Sequence, residues 1–260
     1  MTATPVRYLG ATFIALSLAG CYDPFQTTTS STATTTTTAT GLWTGTDSVT
    51  GESITGLIAS TGQAVFIRND GAQFDGNVEL SGTTVNAAVD GYANFFGSAF
   101  SDGSTSGVGT LTGTVASGST LTLTLSFTTS AGTALTGSWS LSYSSLSSTA
   151  SALTTIAANY TDTTSNATVS ISDDGAIFSQ NPANSCVLNG TVSVINVSND
   201  IYGVQYSYSS CTGSDAVLNG VSFSGLAVLN SNVSPAQIVE GVTGAGSGVS
   251  YGIVTSLDAT

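Results

Sequence analysis

Residues 121–127 read Leu121-Thr122-Leu123-Thr124-Leu125-Ser126-Phe127, apolar at every odd position and hydroxylic at every even one. That is the period of a β-strand with one buried face and one wet face. The same alternation returns at Trp139, Leu141 and Tyr143, at Val169 with Ile171, and at Leu226 with Val228. Glycine dipeptides punctuate these runs: Asp-Gly at 70–71, 75–76, 90–91, 102–103 and 174–175, and Ser-Gly at 81–82 and 117–118. All are read as hairpin turns, which need residues that tolerate positive φ. Threonine suits strands, and with charged residues at 7% the usual surface helix formers are nearly missing. One helix-like stretch stands out, Ser151 to Ala158, where Leu153, Ile156 and Ala157 share a face. The expected fold is all-β, built of antiparallel β-barrel or β-sandwich modules.

A single barrel from Gly41 onward is possible, but the order of motifs points to two tandem related halves. Trp43-Thr44-Gly45-Thr46 opens the first and Tyr160-Thr161-Asp162-Thr163 the second. Each opening leads to a strand ending in an aromatic, Val65-Phe66 and then Ile177-Phe178. Next come Gly76-Asn77-Val78-Glu79-Leu80 and Gly190-Thr191-Val192-Ser193-Val194, with the hinge expected near Ser144 to Ala158. Cys186 and Cys211 form an even pair once Cys21 is set aside. A two-residue turn at Ser198-Asn199 makes positions summing to 397 face each other across a hairpin. That register places Val197 against Asp200 and Cys186 against Cys211, and it predicts a structural cross-strand disulfide.

Composition excludes much chemistry. The chain has no histidine and two cations against fifteen acids, for a net charge of −13. His-based triads and His-ligated metals are therefore absent, as are lysine nucleophiles, because both cations are arginines, Arg7 and Arg68. So acidic a chain is no partner for nucleic acid. Asp70, Asp75, Asp90, Asp102 and Asp174 are accounted for by turns, and no pairing is visible among Glu52, Glu79 and Glu240. Calcium ligation by Asn69-Asp70-Gly71 or Asp173-Asp174-Gly175 lacks the alternating acidic spacing of a dedicated loop. Arg68, one step before a turn, reads as an exposed strand end more readily than as an anion site. Tyr92, Phe95, Phe96 and Phe100 form one aromatic cluster. Tyr202, Tyr206 and Tyr208 form a second, on one face of one strand. Core packing is the simpler reading of both, and a pocket mouth is the alternative for the first. No catalytic residue, metal or cofactor is assigned, and an enzyme is not expected.

The first twenty residues read as an address. Arg7 precedes the apolar run 8–18, which is too short to span a bilayer and fits a signal peptide. The run ends in Leu18-Ala19-Gly20-Cys21, which resembles the lipobox of bacterial lipoproteins. The resemblance implies cleavage before Cys21 and acylation of its thiol. Several acyl chains hold a protein on a membrane, where one is marginal. Asp23 lies one place beyond the position linked to inner-membrane retention, so the expected location is the outer membrane, lipid-anchored, with surface exposure left open. Residues 22–40 are Thr-rich and of low complexity, and they read as a disordered tether. The expected organisation is a signal peptide over 1–20, the lipidated cysteine and tether over 21–40 and a first β module over 41–146. A linker with a short helix follows over 147–158, then a second β module with the disulfide over 159–260.

Residues 158–161, 169–175, 186–193 and 201–204, with Cys211 and residues 219–227, resemble the C-terminal region of a group of bacterial surface lipoproteins with small β-barrel modules and no assigned activity. Gly41-Leu42-Trp43-Thr44-Gly45 resembles the Gly-x-Trp opening of lipocalin-like barrels. These resemblances imply location and fold, and they transfer no catalytic residue. The leading functional expectation is a non-enzymatic surface component contacting an envelope protein or a glycan, which an exposed apolar patch would favour. The alternative is a small apolar ligand carrier, which needs a cavity of several hundred Å³. A carboxylate-based glycan hydrolase, ranked third, needs two acids roughly 5–10 Å apart in a groove.

Overall fold

The computed structural model describes residues 37–260, residue 164 excepted. The expected signal peptide, the lipobox Leu18-Ala19-Gly20-Cys21 and residues 22–36 of the tether lie outside the described residues. From residue 41 the chain is almost wholly β. The first half contains β1 (Gly41–Asp47), β2 (Ser53–Ile58), β3 (Gln63–Arg68), β4 (Gln73–Asn77), β5 (Glu79–Ser81), β6 (Thr84–Tyr92), β7 (Ser106–Ala116), β8 (Thr120–Thr129) and β9 (Ala134–Tyr143). The second contains β10 (Ala158–Asp162), β11 (Thr168–Ile171), β12 (Ala176–Gln180), β13 (Val187–Val194), β14 (Tyr202–Ser209), β15 (Ser222–Asn230), β16 (Gln237–Gly246) and β17 (Val249–Ala259).

Each half is an antiparallel, up-and-down eight-stranded barrel. In the first, β4 and β5 continue one another along β6 in a single register, Gln73↔Tyr92 through Glu79↔Asn86, so they occupy one strand position. That pairing closes the ring from β1 and β9 round to β4. In the second, β10 to β17 close in sequence order. The two halves also open alike. The Trp43 indole donates to the Ala39 carbonyl, and the Tyr160 hydroxyl donates to the Ile156 carbonyl, each four residues back.

Several turn readings hold, at 70–71, 81–82, 117–118 and 174–175. Two do not. Asp75-Gly76 lies inside β4 and Asp90-Gly91 inside β6. Their glycines answer to crowding rather than to a turn: a Cβ on Gly76 would sit 2.2 Å from the Ala88 carbonyl oxygen. One on Gly91 would sit 2.4 Å from the Phe127 ring. Asp102-Gly103 belongs to the longer loop between β6 and β7.

The disulfide Cys186–Cys211 is present, but the register that predicted it is off by one. Val187 pairs with Ser209 and Val194 with Tyr202, a sum of 396 rather than 397. The connection is not a two-residue turn. Residues 195–201 form a longer loop that packs on the linker, with Ser151 N–H donating to Val197 and Asn199 to the Ser147 carbonyl. The cysteines lie just past the end of the ladder, where the strands are no longer bound to its register.

The linker is clamped rather than a free hinge. It has helical turns at Ser145–Ser148 and Leu153–Ile156, the second a single turn inside the expected helix. Ser147 Oγ bonds both the N–H and the carbonyl of Leu42, and Ile156 is fully buried under the second barrel. A separate apolar core joins the barrels. Leu42, Leu57, Val65 and Ile67 on the outer wall of the first meet Leu226 and Val228 on the outer wall of the second. A polar bond crosses the same junction, from the Gln73 amide to the Val242 carbonyl at 2.7 Å.

Candidate functional site

The interior of a barrel of this size is just wide enough to be filled by side chains, so the residues chosen decide whether space remains. In the first barrel the inward positions hold Trp43, Phe66, Phe74, Phe127 and Trp139, all buried, the last four packed ring to ring and Trp43 against Tyr143. Phe100 plugs one end against Phe127. In the second, the inward positions of β11, β12, β13 and β14 carry Val169, Ile171, Ile177, Val192 and Val204, and β15 offers Ala227. These smaller side chains line a cavity of about 300 Å³, while the rings of Tyr160, Tyr202, Tyr206 and Phe223 are buried in the same core.

The cavity wall is apolar except at defined points. Ser179, Asn181, Asn184, Asp162 and Asp215 lie toward the end where β10, β12 and β14 finish, beside loops 181–186 and 210–221. Deeper in stands Glu240, on β16 between Ile238 and Val242 and only 7% exposed. The Tyr206 hydroxyl donates to Glu240 Oε1 at 3.3 Å, and Tyr208 stacks edge-on against Tyr206. Burial pushes the Glu240 carboxyl up to about 7, helped by the negative charge of Asp162. Burial likewise raises the Tyr206 hydroxyl, reinforced by the Glu240 charge.

The first barrel completes the wall. β10 pairs with only the last part of β17, Tyr160↔Ala259 to Asp162↔Leu257. Further along, the edge of β17 is taken by the loop after β6. Phe95 N–H donates to the Gly252 carbonyl, and the Asn94 side chain bonds both the N–H and the carbonyl of Val254. Asn94 and Phe96 thereby become lining residues of the second barrel's cavity, and Phe95 stacks on Tyr251. A Cβ on Gly252 would lie 2.4 Å from Tyr92 Cβ, so the approach needs glycine there.

The aromatic clusters therefore part company. Phe100 is core, Phe95 and Phe96 reach the cavity seam, and Tyr202, Tyr206 and Tyr208 are on one strand facing the second barrel's interior. Arg68 is no exposed strand end: its side chain is 15% exposed and forms a two-point ion pair with Asp70. The Asp174 carboxylate accepts from the Ser172 hydroxyl, and Asp70 also accepts from Ala72 N–H. Cys186 lines the cavity, with Cys211 behind it.

Sequence reasoning missed two features. Glu240 had a signal, a carboxylate on the inward period of an otherwise apolar alternation, Ile238-Val239-Glu240-Gly241-Val242. The other is Asp75, directly across the ladder from Asp90 on the outer wall, hidden because both were read as turn residues. Desolvation and the Asp90 charge push Asp75 up to about 8, and its Oδ2 is buried without a bond among the described residues. An open groove runs beside the pair along β4 to β7, and no aromatic or cationic side chain lines it. No family model, curated protein or solved structure matches this chain.

Proposed function

We propose that this protein is a small-ligand carrier of the bacterial envelope, held to the outer membrane by lipid on Cys21 and binding its cargo in the second barrel. The observation that carries this reading is the contrast in filling: the first barrel is packed throughout, and the second, though it also buries rings, keeps a cavity of about 300 Å³. That volume is at the lower edge of ligand sites, and its mostly apolar lining with a few convergent polar groups is their usual character. The location rests on the lipobox resemblance of Leu18-Ala19-Gly20-Cys21.

The surface-component reading draws less support, because the exposed large apolar side chains, among them Val108, Phe178 and Val197, are on separate strands and turns. The hydrolase reading has the Asp75–Asp90 pair in its favour, but the groove beside it offers no ring or cation to seat a substrate. Native mass spectrometry of the full chain tests the carrier reading. A reproducible excess mass lost on denaturation is expected, and Ala227→Leu, which projects into the cavity and takes up part of it, should reduce its occupancy. Occupancy undiminished in Ala227→Leu would place the ligand elsewhere and overturn the reading.

A further inference from the structure

Resting on the carrier reading, we propose that the cavity selects an apolar amine, with the ligand's ammonium seated on Glu240 and its hydrocarbon body along the barrel axis. Among the described residues, the ionisable groups on the cavity wall are Asp162, Asp215, Glu240 and Tyr208, none of them cationic. The protein's one described cation, Arg68, is in the other barrel and bound to Asp70. An anionic amphiphile would therefore bring its charge toward carboxyls, with no cation among the described lining residues. A cation meets the reverse.

Glu240 is the group placed to receive it. Its strand neighbours across the ladders are Ala227 on β15 and Thr255 on β17, neither charged. From β14 it faces Tyr206 and Tyr208, and from the end of β10 Asp162. Asp215, toward the loop end, acts on Tyr208. The one hydrogen bond to the Glu240 carboxyl among the described residues is the long one from Tyr206. A buried carboxylate so thinly bonded is costly until a cation or a proton joins it. Without a cation the proton serves, and burial pushes the carboxyl up to about 7. An ammonium would displace that proton to solvent. The cavity holds roughly ten water volumes, enough for a medium alkyl chain or one aromatic ring.

The test is calorimetric titration of the full chain with octylamine, octanol and octanoate at pH 6 and pH 8. Octylamine stays protonated at both, so its affinity should follow the ionised fraction of Glu240 and rise about tenfold. Octanol should bind equally at both, and octanoate most weakly of the three. At pH 7 octylamine binding should release a fraction of a proton, read from the heats in buffers of different ionisation enthalpy. Glu240→Gln should weaken octylamine about tenfold at pH 8, remove its pH dependence and spare octanol.

Octylamine and octanol binding alike at both pH values would overturn the amine assignment and leave the carrier reading intact. So would octylamine affinity that falls with rising pH, the mark of a protonated Glu240 acting as donor. Binding of none of the three would remove both. The wild-type pH profile decides the matter even if Glu240→Gln fails to fold.

Discussion

The two barrels have the same strand count, the same up-and-down order and the same opening hydrogen bond, yet one is solid and the other hollow. The difference is in what the inward positions carry. Both tryptophans of the chain, Trp43 and Trp139, are inside the first barrel, where the Phe127 ring also lies against Gly91 and Gly107. The second also buries rings, Tyr160, Tyr202, Tyr206 and Phe223, but the inward positions around its cavity carry valine, isoleucine, alanine and a carboxyl. Closure fixes a barrel's width, so side-chain volume is the remaining variable, and it separates a brace from a container. The brace does more than stand beside the container. Its loop at Asn94–Phe96 fills the strand edge that the short β10 leaves open.

The sharpest way to break this contrast is to empty the full barrel. Trp139→Ala should cost about 3–5 kcal/mol, because the rings of Phe66 and Phe74 around it would be left facing a void. Ile177→Ala, in a wall that already borders empty space, should fall at the lower end of the range for such truncations, about 2 kcal/mol. Urea denaturation of the two variants measures both, and equal costs would contradict the filled-versus-hollow distinction.

Next in size is the disulfide, present only in the second barrel. It closes a loop of 25 residues, and its removal by Cys186→Ser with Cys211→Ser should cost about 3.5 kcal/mol in the chain-entropy picture. A cost below about 1 kcal/mol would mean that the loop at 210–221 is already held by the Asn184 and Asn219 bonds. The junction follows. Gly252→Ala forces a Cβ against Tyr92 and should separate a single thermal transition into two, at a cost of about 1–3 kcal/mol. One undivided transition would show that the apolar core at Val65 and Leu226 suffices alone.

The pH dependence should carry the mark of the buried acids. Asp75, Glu240 and Asp200 are raised by burial to about 8, 7 and 6, from ordinary values of 3.8 or 4.5. Between those limits the folded chain keeps protons that the unfolded chain has released. Stability should therefore be greatest near pH 4 and fall as pH rises through the folded values. Asp102 and Asp174 have the opposite sign. The Ser104 and Ser172 hydroxyls hold them below the usual range, so their contribution is lost only as pH falls below it. Urea midpoints from pH 4.5 to 8.5 should decline, and less steeply in Asp75→Asn. A flat or rising profile would show these carboxyls to be solvated. The smallest expected effect is in Ala227→Leu, which should leave stability within about 1 kcal/mol while taking up part of the cavity, where Ala87→Leu in the packed barrel should lose about 1–3 kcal/mol.

Much of this was legible in advance where alternation is strict. β8 runs exposed and buried in turn from Thr120 to Thr129, as its sequence says. The tandem halves and the cysteine pair were legible too, the latter from a register one residue out. What escaped was written in departures from alternation. Ala64-Val65-Phe66-Ile67 and Leu226-Ala227-Val228-Leu229 are unbroken apolar runs, the pattern of strands buried on both faces. They mark where the barrels meet, and reading Leu226 and Val228 as a one-faced strand hid the junction. Asp-Gly and Ser-Gly pairs look alike in sequence whether glycine serves a turn, as at Gly71, or makes room for a carbonyl or a ring, as at Gly76 and Gly91.

By itself the sequence determined that the chain forms strands, roughly where they begin, that there are two related sets, and that histidine and lysine chemistry is excluded. Those follow from local periodicity and from composition, which need no knowledge of neighbours. The tertiary structure alone decided that one set is packed throughout and the other keeps a cavity, that Glu240 faces that cavity, that Asp75 meets Asp90, and that a loop of the first barrel seals the second. Each depends on which strand position lies opposite which. That is set by closure and register across long stretches of chain, and no window of sequence contains it.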